Sequence, residues 1–286
     1  MEEQEIIIKK NNDFELKDIF ECGQCFRWNK EDDDSYTGIF GNCIANVKKE
    51  NDKIIIDGNF EDTSVIDSYF DLKRNYNEIK SILANVDDNL KNSIQYGNGI
   101  RILNQSLWET IISFIISANN NLPRIKGIID RISKKYGKEI CYEGKVLYTF
   151  PTPEELSKAS VQDLRDVGLG FRDVRVFETT RKIASNEFNL EELYKMSTDD
   201  ARDRLLTLDG VGPKVADCIL LFSDLKRFDV FPIDVWVRRV MNELYIHNQD
   251  ETKVSKKEIK KIADEKFGSL QGIAQQYLFY WKRESA

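Results

Sequence analysis

The chain has 286 residues, 41% hydrophobic and 32% charged, with neither an apolar run of the ~18 residues that a membrane helix needs nor a signal-like N-terminus. Its five cysteines, an odd number without a secretory signal, predict reduced thiols in a cytoplasmic protein. The net charge of −7 is unevenly spread, with −10 on residues 1–90 and +3 on residues 91–286, so only the second part could readily attract phosphate.

The first ninety residues have the pattern of short strands. Five β-rich runs are separated by turn clusters at residues 31–34 and 41–42. The runs are residues 6–8, 25–28, 36–40, 43–47 and 53–56. They predict an antiparallel meander, and the change of periodicity and charge places the end of this domain near residue 90.

The remaining residues, 91–286, have helical periodicity. Residues 108–116 are apolar on every side, which predicts a buried central helix, and residues 122–136 carry an apolar stripe opposite a basic face. Thr152 begins a capping-box pattern with proline at the first helical position. The predicted fold class is α+β, with an N-terminal antiparallel β-sheet domain at 1–90 and a larger all-helical region at 91–286.

The most informative segment is residues 208–218, Leu-Asp-Gly-Val-Gly-Pro-Lys-Val-Ala-Asp-Cys. Helical patterns flank it, with Thr198 as the N-cap of the first helix. Gly210 and Gly212 make a tight hairpin whose amides, with the N-terminus of the second helix, can approach a phosphate closely. We predict a helix-hairpin-helix at about residues 198–223 that grips a DNA backbone without reading its sequence. A simple interhelical turn is the plain alternative.

Two side chains near this hairpin are suited to chemistry on a sugar. Lys214 lies in the first turn of the second helix, where the helix dipole and partial desolvation should depress its pKa and favour a nucleophilic amine. Asp234 is placed as the N-cap of the next helix, and its carboxylate could stabilise a cationic deoxyribose. A phosphate-contacting lysine and an aspartate that only caps a helix are the alternatives.

The glycine hairpin, the lysine and the downstream Pro-x-Asp together resemble the helix-hairpin-helix glycosylases, in which this lysine marks the members that attack the sugar with an amine. Four more segments, in matching order between about residues 13 and 281, resemble 8-oxoguanine DNA glycosylases. They are Gly-Gln-Cys-Phe-Arg-Trp at 23–28, Ser-Ala-Asn-Asn-Asn-Leu-Pro-Arg at 117–124, Gly-Leu-Gly-Phe-Arg at 168–172, and Ala274-Gln275 with Phe279.

The resemblance implies a bifunctional enzyme that flips 8-oxoguanine out of double-stranded DNA, releases it through Lys214 and nicks the strand by β-elimination. Asp234 would stabilise the cationic sugar. No cofactor, metal or membrane is implied, and the enzyme would act as a monomer at the nucleoid.

The resemblance also assigns the base pocket. Gly23 would accept a hydrogen bond from the N7 hydrogen that 8-oxoguanine has and guanine lacks. Gln275 would bind the Watson–Crick edge, while Cys218 and Phe279 would sandwich the base. Without the resemblance, Cys218 and Phe279 would be interpreted as core residues on helical stripes.

A second set of residues is implied for the DNA around the lesion. Asn119, Arg124 and Arg172 would contact the cytosine left opposite, and Phe171 would wedge into the vacated stack. Phe171 stands where the family often has tyrosine, which puts strict selection of cytosine in doubt. Trp236 stands where many members have a histidine near the DNA backbone, and an indole cannot carry that positive charge.

Other classes of protein fit less well. Cys22 and Cys25 match Cys-x-x-Cys, but they enter a predicted strand rather than open a helix, which disfavours a thiol oxidoreductase. Scattered cysteines and one histidine, His247, disfavour zinc, and no C-terminal four-cysteine cluster supports an iron–sulfur glycosylase. Alkylbase glycosylases usually lack the lysine. A non-enzymatic DNA-binding module is the main alternative of another class, and it would bind DNA without releasing a base.

Overall fold

The computed structural model describes residues 4–9, 13–60 and 62–284. In this part of the chain the N-terminal strands form a five-stranded antiparallel sheet with the order β1-β5-β4-β3-β2. The strands are β1 (Gln4–Lys9), β2 (Trp28–Lys30), β3 (Tyr36–Phe40), β4 (Cys43–Glu50) and β5 (Lys53–Gly58). The predicted meander is confirmed for β2 to β5, and β1 pairs with β5 at the edge.

The segment before β2 departs from the prediction. Residues 25–27 are not in a strand, because β2 begins at Trp28. The buried Gln24 side chain donates to two backbone carbonyl groups and accepts from the amide of Leu103 at 2.8 Å. Phe26 turns away from the sheet and packs edge-on against Phe114, with 5.5 Å between ring centroids. These contacts pull the segment toward the helices.

Helices form most of the remaining structure, including three within the first ninety residues, where only strands were predicted. Asp62 and Asn75 cap two of these three by accepting from backbone amides. The helices are α1 (Leu16–Phe20), α2 (Thr63–Tyr69), α3 (Tyr76–Ala84), α4 (Asp88–Tyr96), α5 (Leu107–Ser117), α6 (Leu122–Tyr136), α7 (Pro153–Leu156), α8 (Val161–Leu164), α9 (Asp173–Ala184), α10 (Thr198–Leu205), α11 (Pro213–Phe222), α12 (Val235–Met241), α13 (Lys256–Phe267) and α14 (Gln271–Glu284).

The strongest helix predictions are confirmed. α5 is buried along almost its whole length, α6 has the predicted bounds, and Thr152 forms its capping box with Glu155. A hairpin of β6 (Glu139–Tyr142) and β7 (Lys145–Tyr148) interrupts the helical region and was not predicted. Over the described ranges, no helix combines the length and apolar character required to cross a bilayer.

The N-terminal segment is shared between two hydrophobic clusters. The sheet cluster is rich in aromatic rings, and Trp28 stacks on Phe20 with 4.3 Å between centroids. Gly38 pairs with Trp28, and a Cβ there would lie 2.2 Å from the indole, so glycine is required. Cys25 belongs to this cluster, whereas Cys22 packs into the cluster formed by the helices. The turn between these two cysteines is therefore held between both clusters.

Candidate active site

The glycine hairpin joins α10 to α11 as predicted, with one correction. Ser197, not Thr198, is the N-cap of α10, because its hydroxyl accepts from the amide of Asp200 at 3.2 Å. The hairpin is braced by α9, where Thr179 donates to the carbonyl of Asp209 at 2.9 Å and Lys182 pairs with its carboxylate at 2.7 Å. The loop is thus held rigidly below the start of α11.

The two hairpin glycines serve different needs. Gly210 has φ +85°, and a Cβ there would lie 3.1 Å from atoms of Arg175 and Ile115. Gly212 is exposed, has an ordinary φ of −95° and would have open space around a Cβ. The left-handed backbone and the close neighbours of Gly210 therefore account for a glycine at this position. At 212 a close approach by a ligand would explain it.

This difference predicts opposite effects of alanine at the two positions. Gly210→Ala should lower the stability by about 1–2 kcal/mol, because alanine is strained in the left-handed region. Gly212→Ala should leave the thermal midpoint unchanged and weaken binding of a DNA duplex several-fold, since its methyl group would face a phosphate. Thermal unfolding and fluorescence anisotropy check both. Unchanged DNA binding by Gly212→Ala would contradict the predicted backbone contact.

Lys214 and Cys218 lie one turn apart on α11 and influence each other's ionisation. The expected depression of the pKa of Lys214 is wrong for the protein without DNA. Attraction to the Cys218 sulfur, once that thiol is ionised, raises the pKa of Lys214, burial lowers it, and the Asp234 carboxylate raises it again. Burial raises the pKa of Cys218 to about 11. Lys214 is therefore an ammonium at neutral pH and must lose a proton before it attacks.

Asp234 has the capping position expected from the sequence. Its Oδ1 accepts from the amide of Val237 at 2.8 Å and begins α12. The helix continues as a wider turn through Ile246. Because Asp234 also acts electrostatically on Lys214, the cap places a carboxylate beside the amine.

One cavity collects residues from four distant segments of the chain. The residues predicted for chemistry and base recognition that line it are Gly23, Lys214, Cys218, Asp234, Gln275 and Phe279. Gly23 comes from the turn after α1, and the others come from α11, α12 and α14. The structure thus brings all six together at the junction of the sheet and the helices.

Gln275 has an unusual environment in this cavity. Its side chain is 5% exposed, and its Oε1 is buried without a hydrogen-bond partner. A buried unpaired amide oxygen costs about 1–3 kcal/mol, so it is retained against stability. An arriving ligand with a suitably placed N–H group would satisfy it.

This cost predicts that removing the amide raises the stability of the protein and lowers its activity. Gln275→Met keeps the length and removes the unpaired polar atom, so the thermal midpoint should rise by about 2–5 °C. The same variant should lose about 10–100-fold in kcat/KM for a damaged base recognised through this amide. Thermal unfolding and single-turnover kinetics check the two signs. A variant that is both less stable and fully active would contradict this interpretation.

The three consecutive asparagines after α5 have different structural environments. Asn120 donates to the carbonyl of Ile116 at 3.1 Å, and Asn121 caps α6 by accepting from the amide of Arg124 at 3.1 Å. Asn119 is exposed, in the left-handed region with φ +52°. Asn120 and Asn121 therefore build the loop, and Asn119 is exposed to solvent.

Arg172 lies differently from the expected cytosine contact. It is only 2% exposed, and its guanidinium donates to the carbonyl groups of Ala118, Asn119 and Leu169 at 2.5–3.3 Å. In the protein without DNA it therefore holds the asparagine loop in place and does not face an opposite base. The exposed Arg124 donates to the carbonyl of Gly168 at 3.3 Å, which ties the same two loops.

Two large aromatic side chains stand out from the surface at predicted DNA positions. Phe171 is 57% exposed, with the guanidinium carbons of Arg172 and Arg175 4.2 and 5.3 Å from its ring centroid. Trp236 is 48% exposed and has Arg239 at 5.3 Å. Apolar rings flanked by cations suit a surface that meets stacked bases and phosphates.

Sequence reasoning missed the residues that complete the cavity wall. These are Cys22, Phe114, Phe222, Pro232, Val237 and Gln276. Gln276 donates to the carbonyl of Cys22 at 2.6 Å, and Phe114 lies 5.5 Å below the Lys214 ammonium. Helical apolar spacing gave Phe114 only a core role, and no local signal marked Gln276.

A larger cavity, of about 350 Å³, lies between the sheet and α5 and is lined by Cys25, Arg27 and Glu109. None of the predicted site residues borders it, so size does not identify the active site here. The structure also disfavours the thiol-oxidoreductase alternative. Cys22 and Cys25 are buried, and burial raises the pKa of both thiols, that of Cys22 to about 11.

Two family profiles cover most of the chain. The profile for the 8-oxoguanine DNA glycosylase N-terminal domain matches residues 6–111, and that for HhH-GPD superfamily base excision DNA repair proteins matches residues 112–266. A probable N-glycosylase/DNA lyase of Methanothermobacter thermautotrophicus is 34% identical over 240 residues, which are 77% of this chain and 74% of that protein.

Solved structures agree with this match. The 8-oxoguanine glycosylase/lyase of Clostridium acetobutylicum, in complex with double-stranded DNA containing cytosine opposite 8-oxoG, superposes with a TM-score of 0.93 at 43% identity, covering 99% of this chain and 97% of that one. Its apo form gives 0.91 at 43% identity, covering 98% of both chains. Fold and site thus define a helix-hairpin-helix DNA glycosylase. The chain belongs to the 8-oxoguanine DNA glycosylase family of the HhH-GPD superfamily.

Proposed function

We propose that this protein excises 8-oxoguanine from double-stranded DNA and then cleaves the strand at the resulting abasic site. The observation that carries the proposal is the convergence of Lys214, Asp234 and Gln275 on one cavity. A nucleophilic amine, a carboxylate and an unpaired amide are the groups needed to attack a sugar, stabilise its charge and bind a base. The enzyme meets its DNA as a monomer at the nucleoid.

The first step forms one bond and breaks another at the sugar. The Lys214 ammonium must first pass a proton to the base that will depart, so that the Asp234 carboxylate keeps its negative charge. Nζ then bonds to C1′ while the glycosidic bond breaks and its electron pair leaves with the base. Asp234 stabilises the positive charge that develops on the sugar.

In the second step the C1′–O4′ bond breaks and a proton moves from Nζ to O4′, so the sugar ring opens and leaves a protonated imine between Nζ and C1′. Loss of a C2′ proton and departure of the 3′ phosphate complete β-elimination, and water then releases Lys214. The imine is a covalent link between protein and DNA until that hydrolysis. Borohydride reduces it to a stable amine, so the intermediate can be isolated.

Base recognition is assigned to the rest of the cavity. The backbone carbonyl oxygen of Gly23 accepts a hydrogen bond from the N7 hydrogen of 8-oxoguanine. Gln275 binds the Watson–Crick edge of the base, and Cys218 and Phe279 contact its two faces. Guanine lacks the N7 hydrogen and would leave two acceptors facing each other in a buried site, which costs binding energy.

At the opposite base, Asn119 and Arg124 are the exposed candidates for contact with cytosine, and Phe171 fills the vacated stack. For Arg172 to contact cytosine directly, it would have to leave three carbonyl groups. We therefore assign it first to holding Asn119. Gly210 and Gly212 approach the DNA backbone through the hairpin, and Trp236 borders it.

The test of this function uses a duplex that carries 8-oxoguanine opposite cytosine. Released base, strand cleavage and a borohydride-dependent protein–DNA adduct are expected. Binding without base release would instead support a non-enzymatic helix-hairpin-helix module. Repeating the assay with each of the four bases opposite the lesion compares their rates of base release. The comparison shows how strictly an enzyme with Phe171 in place of tyrosine selects cytosine.

A further inference from the structure

Arg283 is a positive side chain at the rim of the candidate active site. It lies in the last turn of α14, one helical turn beyond Phe279, and its side chain is 29% exposed. Its guanidinium carbon is 5.3 Å from the centroid of the Phe279 ring. A cation at this distance interacts favourably with the ring and restricts its movement.

The same guanidinium also reaches the turn that contains Gly23. Its Nη2 donates to the carbonyl oxygen of Glu21 at 2.5 Å. Its Nη1 lies 3.3 Å from the position that a Cβ on Gly23 would occupy. Gly23 has φ +91°, a conformation that glycine adopts readily and other residues rarely do, so its contacts with neighbouring groups help to fix the turn.

A third contact fixes the orientation of the guanidinium itself. Glu284 accepts from Nε of Arg283 at 3.1 Å and lies 3.0 Å from Nη2. Because the guanidinium is planar and rigid, these contacts define its position between the Gly23 turn and Phe279. Lysine, with a single charged nitrogen, could not make them together.

We propose that Arg283 is a positioning residue for base selection, which clamps the Gly23 turn to Phe279 and so sets the spacing of two walls of the cavity. The proposal rests on the proposed function of this cavity as the pocket for 8-oxoguanine. Arg283 acts through Gly23 and Phe279, so its loss should affect recognition of the base. It should not affect attack by Lys214 on a sugar that has already lost its base.

Two substrates separate these effects. Arg283→Met keeps the apolar cover on Phe279 and removes the hydrogen bond to Glu21. With 8-oxoguanine opposite cytosine, its kcat/KM should fall about tenfold, and the preference for 8-oxoguanine over guanine should narrow. Cleavage of a duplex with a preformed abasic site should stay within about twofold of wild type. Arg283→Lys should recover only part of the loss.

The matched control is Lys282→Met, which removes a positive charge from the neighbouring position, where Lys282 pairs with Glu243 at 2.6 Å. Its activity on both substrates should equal that of wild type. If Arg283→Met lost activity equally on both substrates, or on neither, the proposed clamp would be refuted. Thermal unfolding shows whether the substitution destabilises the whole protein. A wild-type protein inactive on both substrates would instead refute the proposed function.

Discussion

Lys214→Gln is expected to abolish the borohydride-dependent adduct and to slow release of 8-oxoguanine by more than about 10³-fold, as removal of a covalent nucleophile does. Glutamine keeps most of the side-chain length but has no amine to form an imine. Binding of the damaged duplex should remain, because the hairpin and the exposed aromatic rings are unchanged. Gel analysis of trapped adducts and single-turnover base release measure the two losses.

A second buried lysine provides a demanding control. Burial lowers the pKa of Lys226 to about 7, so on ionisation alone it would be a better nucleophile than Lys214, whose pKa is raised. Lys226 instead pairs with Asp71 at 3.4 Å and does not line the cavity. Lys226→Gln should therefore still give the adduct. Trapping lost in Lys226→Gln but kept in Lys214→Gln would refute our assignment.

The catalytic residues could be predicted from the sequence because they lie close together along the chain or next to a helix end. Gly210, Gly212 and Lys214 lie within five residues, so the hairpin and the first turn of α11 follow from local rules on glycine, proline and helix ends. Asp234 was found for the same reason, since an aspartate before a helix is a capping signal. In the structure α11 begins at Pro213 and ends at Phe222, within the predicted helix-hairpin-helix at about residues 198–223.

Features that depend on distant contacts could not be predicted in this way. The burial of Arg172 depends on where the carbonyl groups of Ala118 and Asn119 lie, more than fifty residues away. The pKa of Lys214 was predicted in the wrong direction because the dipole argument ignored its partners Cys218 and Asp234. The β6–β7 hairpin, by contrast, has a local signal that the sequence analysis did not use, a glycine at position 144 in its turn.

Asp234→Asn is expected to slow base release by about 10²–10³-fold with little change in stability. Asparagine caps a helix about as well as aspartate, so the hydrogen bond from the Val237 amide should persist while the negative charge is lost. Asp234→Ala should add a stability loss of about 1 kcal/mol to the same slowing. Single-turnover kinetics and thermal unfolding separate the charge from the cap.

Asp62 supplies the comparison, because it caps α2 through the amide of Ser64 at 2.8 Å and lies outside the cavity. Asp62→Ala should reduce stability while base release stays at the wild-type rate. If Asp234→Asn were as active as wild type, Asp234 would be only a helix cap, and the positive charge on the sugar would need another partner.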